Sequence, residues 1–97
     1  MKKIQFAWDP KKNIENKKKH KISFEEAKDV FYDDNAILFD DPEHSIEEDR
    51  FLIIGRIKNL NICVVSHCYK DKDEIIRIIS ARKATKKEKN TYEGWQL

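Results

Sequence analysis

Between residues 50 and 82 the chain reads RFLIIGRI, then NICVVSHCY, then EIIRIISAR, three runs dense in β-branched residues. The connectors between them, KNL and KDKD, are short and polar, which favours antiparallel return of consecutive runs. AILFDD, set off by PEHSIEED, adds a fourth strand ahead of them, and a four-strand meander follows. The last run also poses a problem of charge. Arg77 and Arg82 bracket its isoleucines, and a guanidinium beside a core is costly unless an internal acid or an anionic ligand meets it.

The segments around the meander follow a different period. IQF is a short N-terminal strand, and WDPKKNIENKKKH is helical, with Asp9 as its cap, Pro10 in its first turn and Ile14 as its main apolar contact. ISFEEAKDVFYDD carries a capping box in Ser23 and Glu26, and Phe24, Ala27, Val30 and Phe31 share one helix face. TKKE makes a second box, Thr85 with Glu88, and opens a last helix that runs through Tyr92 and ends near Gly94. The order β-α-α-β-β-β-β-α predicts an α+β fold: a small antiparallel sheet, two N-terminal helices and one C-terminal helix. Helices able to cover only one side of such a sheet leave the other for a ligand. With 97 residues and 39% hydrophobic content, residues 1–97 form a single domain.

The net charge of +2 conceals a strong asymmetry. Residues 1–20 hold seven lysines and two acids, residues 21–50 three bases and eleven acids, and residues 51–97 ten bases and five acids. Two basic ends flanking an acidic middle allow a local field for a polyanion within a small total. No 18-residue apolar run and no signal peptide is present, so no membrane association is expected. Cys63 and Cys68, five apart in one strand, lie about 16 Å apart and cannot bridge. Free thiols with no export signal point to the cytoplasm.

Strand alternation sorts the polar groups by face. Arg50, Leu52, Ile54 and Arg56 share one; Cys63, Val65, His67 and Tyr69 share one. Arg77 and Arg82 point to opposite faces in an unbroken strand, so they serve one site only if the strand ends or bulges near Ser80 to Arg82. For Arg77 two partners are open: an acid such as Glu48, Asp49 or Glu74, or a phosphate matched by the guanidinium fork. His67 is the best acid–base candidate, although a lone histidine near a strand end is more often a packing residue. By spacing, His20 is a solvated helix end and His44 a bystander in an acidic loop. The cysteines and histidines do not fall at zinc spacings, and there is no phosphate-binding glycine loop, so neither metal nor cofactor is expected. RKATKKEK suits nucleic-acid backbone contacts as well as it suits a solvated helix face.

FAWDPKKNIENKKKHKISFEEAKDVFYDD, EEDRFLIIGRI and VVSHCYKDKDEIIRIISARKATKKEKNTYE together closely resemble the BrnT toxins of bacterial type II toxin–antitoxin systems. The likeness rests on W-D near the start, N-x-x-K-H before F-x-E-A, E-x-R ahead of a glycine, and R-I-I-S-A-R before a terminal helix. It implies a RelE-like ribonuclease that blocks translation by cutting RNA, and metal-independent endoribonuclease action is the expected chemistry. It also implies neutralisation by a BrnA-like ribbon-helix-helix antitoxin, through which operator DNA is bound. The polar motif positions implied as catalytic are Lys19, His20, Glu48, Arg50, His67, Arg77 and Arg82. Arg56, Lys83, Lys86 and Lys87 are then expected to follow the RNA backbone. Lys21 departs from the family pattern, where a glycine often follows K-H, and Lys89 stands where arginine is common. A non-catalytic module that binds nucleic acid or a partner, as a co-repressor would, is the rival reading.

Overall fold

The computed structural model describes residues 4–45 and 48–94; residues 46 and 47, within the connector ahead of the long strands, lie outside this range. Five strands form one sheet: β1 (Gln5–Ala7), β2 (Ile37–Asp40), β3 (Phe51–Arg56), β4 (Ile62–Lys70) and β5 (Ile75–Lys83), in the spatial order β1-β5-β4-β3-β2. β2 to β5 are the antiparallel meander read from the short connectors. β1 pairs in parallel with β5, so the sheet is mixed, because the chain returns to β5 only after the helices and the whole meander.

The helices are α1 (Pro10–His20), α2 (Phe24–Ala27) and α3 (Lys86–Gly94), and a 3₁₀ segment, Lys28–Tyr32, continues α2. Asp9 caps α1 through a hydrogen bond accepted from Lys11 N, and Ser23 and Glu26 make the reciprocal box that opens α2. Phe24, Ala27 and Val30 are fully buried on one face, as their spacing requires. They pack with Ile22 against Ile53, Val65, Ile76, Ile78 and Ala81 of the sheet. Each large side chain sealed there contributes about 1.5–3 kcal/mol.

Ile14 does not anchor α1, since it is 59% exposed. Two asparagines do that work. β1 covers only the Ile75–Arg77 end of β5, and further along the same edge the Asn16 side chain takes the place of a strand. Its Nδ2 donates to Ala81 O at 2.8 Å and to Ile22 O at 2.9 Å, while Ala81 N donates to its Oδ1 at 3.1 Å. Asn13 Oδ1 accepts from Phe24 N at 2.8 Å. A buried Asn16 amide satisfied on both sides, with the half-buried Asn13 beside it, can hold a helix whose apolar residue faces water.

The sheet's second face is not bare. α3 lays Tyr92 over Ile54, Ile62, Val64 and Ala84, giving a smaller second cluster. Asp33 ties the two layers together, accepting from Tyr92 Oη at 2.6 Å and Arg56 N at 2.8 Å. Gly55 lets the 3₁₀ segment approach the sheet, because a Cβ there would lie 2.7 Å from Val30 Cγ1. No helix among the described residues is long and apolar enough to cross a membrane.

Candidate active site

A register shift fixes which groups meet. Ser66 pairs with Ser80 and His67 with Ile78, so Ile79 is an extra residue bulged out of β5. One inserted residue inverts the alternation beyond it. Arg77, opposite Cys68, and Arg82, opposite Val64, therefore lie on the same face despite being five apart. Arg50 and Arg56 share that face through the β3–β4 register. It is the side away from α2.

The same alternation sends His67 the other way. It is 0% exposed, beneath the helices, with Phe31 edge-on at a centroid distance of 4.8 Å and Phe51 and Tyr69 beside it. Its Nδ1 lies 3.2 Å from Val65 O, which can only accept, so the proton sits on Nδ1, and Nε2 accepts from Tyr69 Oη at 3.2 Å. Burial lowers the imidazole's pKa, against the pull of the Val65 carbonyl, and the ring stays neutral at pH 7. The acid–base candidate of the sequence is thus separated from the arginines by the thickness of the sheet.

The arginines themselves divide. Arg82 is locked, its Nη1 and Nη2 reaching the two oxygens of Glu88 at 2.7 and 2.9 Å. The hydrogen bonds from Arg82 hold the Glu88 carboxyl down to about 2, and Thr85 N adds a further bond within the second capping box. Arg56 sits over the Tyr92 ring, 5.7 Å from its centroid. Arg77 makes no hydrogen bond or ion pair with the described residues, and the Nε of Arg50 is buried without a partner among them. Glu48, the acid that could have neutralised either, is bonded instead to Lys70; that bond is the main cause of its lowered pKa, so it stays ionised.

Arg50, Arg77 and Glu48 line one hollow of ≈80 Å³, closed by Asp9, Lys12, Ile78 and Ile79. A water takes about 30 Å³, so the space suits a single tetrahedral anion. Lys12 and Lys70 were not singled out in the sequence. Lys12 stands three positions after the Asp9 cap, so the first turn of α1 carries it to the hollow. Lys70 shares the Arg77 face through its place two residues after Cys68, in the unbroken register between the bulge and the β4–β5 turn. Lys19 and His20 end α1, about 12 Å along the helix axis from Lys12, and are not brought to the hollow. Lys83 ends β5, and Lys86 and Lys87 open α3; all three are exposed.

The family model described as "Ribonuclease toxin, BrnT, of type II toxin-antitoxin system" matches residues 8–88. A 1.1 Å crystal structure of the Brucella abortus ribonuclease toxin BrnT superposes with a TM-score of 0.67 at 26% identity, covering 87% of this chain and 100% of that one. No curated protein matches the chain. The matched span begins at the tryptophan before the α1 cap and ends at the glutamate that holds Arg82, and so contains every group around the hollow: the chain belongs to the BrnT family of ribonuclease toxins of type II toxin–antitoxin systems.

Proposed function

We propose that this toxin is a metal-independent endoribonuclease whose phosphate clamp is the Arg50–Arg77 hollow. The observation that carries the proposal is the buried Nε of Arg50, which has no partner among the described residues, beside the Arg77 guanidinium, which makes no hydrogen bond or ion pair with them. A buried donor left unmet costs about 1–3 kcal/mol, which a phosphate oxygen would relieve. Two guanidinium groups around one small space match the non-bridging oxygens of a phosphodiester.

The nucleophile is the substrate's own 2′-hydroxyl. It attacks the adjacent phosphorus, the bond to the 5′-oxygen breaks, and a 2′,3′-cyclic phosphate and a free 5′-hydroxyl result. Glu48, held ionised by Lys70, takes the 2′-hydroxyl proton. Arg50 and Arg77 stabilise the charge growing on phosphorus, and Lys12 at the rim neutralises the departing 5′-oxygen, which water protonates. His67 has no part in proton transfer in this scheme; it packs the core and holds the Tyr69 hydroxyl. Arg82 shapes the α3 junction through Glu88. Arg56, Lys83, Lys86 and Lys87 extend the basic surface along the RNA, with Lys19 and His20 at its far end.

Cleavage of cytoplasmic RNA would inhibit translation. The proposed antitoxin is a BrnA-like ribbon-helix-helix protein that covers the arginine face and carries the operator contacts. Incubating purified toxin with RNA in EDTA tests the reading. New 5′-hydroxyl and cyclic phosphate ends are expected; intact RNA with only salt-sensitive binding would establish the non-catalytic module instead.

A further inference from the structure

The meander ends on an open edge. β2 pairs with β3 alone, and no described strand lies on its other side. Asp41 N donates to Arg50 O at 2.9 Å, which marks that pair as hydrogen-bonded. Alternation then turns the N–H and C=O groups of Leu38 and Asp40 away from the sheet. Leu38 is 52% and Phe39 38% exposed, and they point to opposite faces. Of the devices that blunt edges, β2 has no lysine, proline or bulge; it is protected only by its four-residue length and the charge of Asp40.

Charge decides what fits. Residues 33–45 hold five acids and no lysine or arginine. On the helix-bearing side of the edge lies a hollow of ≈590 Å³ lined by Leu38, Phe51, Tyr69, Glu48, Asp49 and Asp73. A second copy pairing here would set acid against acid, and RNA would be repelled. We infer that β2 is a docking edge for an extended, lysine- or arginine-rich polypeptide segment, which adds a sixth strand, places apolar side chains against Leu38 and Phe51, and meets the surrounding carboxylates. The hollow shares Glu48 with the proposed nuclease site, but the strand edge itself uses neither Glu48 nor Arg50 nor Arg77, so loss of cleavage and loss of peptide docking are separable.

The test is an NMR titration of the ¹⁵N-labelled full chain with two synthetic peptides, one alternating Lys and Val, the other Glu and Val. The lysine peptide is expected to bind and to protect the Leu38 and Asp40 amides from hydrogen exchange, and the glutamate peptide to leave them unchanged. Leu38→Pro removes an outward donor that β3 does not use and should weaken binding at least 10-fold. Asp40→Lys, which removes no backbone group, should weaken it about 3-fold or more. Absence of binding, equal binding of both peptides, full binding by both variants, or concentration-dependent dimers of the free protein would each overturn the inference.

Discussion

The two faces of this sheet treat polar side chains in opposite ways. Beneath α2 and the 3₁₀ segment, His67 is sealed, neutral and satisfied at both ring nitrogens. On the other face Arg50 and Arg77 are charged and lack partners among the described residues, with an ionised glutamate beside them that is committed to Lys70. A satisfied buried group supports a core, whereas an unsatisfied cation beside an open hollow costs stability and asks for a ligand. The proposed function therefore uses the face with the smaller apolar cluster, despite the histidine's better chemical credentials in the sequence.

The largest effect should come from Arg50→Ala. Ribonuclease activity is expected to fall about 10²–10³-fold in single-turnover assays. Thermal stability should hold or rise, since an unmet buried donor is removed. A folded variant with wild-type rates would break the contrast between the faces.

On the sealed side, His67→Ala should cost about 2–4 kcal/mol in denaturant unfolding, through the cavity it leaves among Phe31, Phe51 and Tyr69. Burial depresses the His67 pKa, so near pH 6.5 the unfolded chain takes up a proton that the folded chain refuses. Stability should therefore rise with pH through that range, and the variant should lose this dependence. Gly55→Ala, which forces a methyl group against Val30, should cost about 1–3 kcal/mol by the same measurement.

Glu88→Gln sharpens the division among the arginines. It is expected to cost about 1–2 kcal/mol, from a weakened cap and ion pair, with little change in RNA cleavage. The folded pKa of about 2 lies below the ordinary 4.5, so the stabilisation is complete above about 4.5 and lost as pH falls from there to about 2. Acid unfolding of the variant should lack that component. The smallest effect is a gain. Lys21 caps α1 in the left-handed region at φ 63°, where its Cβ is unfavourable, and Lys21→Gly should raise stability by about 0.5–1 kcal/mol in thermal melts.

How much was legible in the sequence follows from the range of each signal. Asp9–Pro10, Ser23–Glu26 and Thr85–Glu88 are local devices, and each opens the helix it predicts. The short connectors favoured the meander. Lys21 stands where the family often has a glycine, and its backbone is left-handed. Side-chain direction along β5 was not decidable, because it depends on a bulge that arises only when β4 and β5 pair. Ile14 was misassigned because hydrophobicity was weighed and the two asparagines that dock α1 carry no apolar signal. The Arg82–Glu88 lock was hidden since Glu88 already had a role as a cap.

The central claim is that catalysis resides on the arginine face and not at the histidine. Its most direct test is the single-turnover RNA cleavage rate of Arg77→Ala beside that of His67→Gln, both verified as folded by circular dichroism. The account predicts a loss of at least 100-fold for Arg77→Ala and a rate within about 3-fold of wild type for His67→Gln. The reverse pattern, an active Arg77→Ala and an inactive, folded His67→Gln, would contradict it.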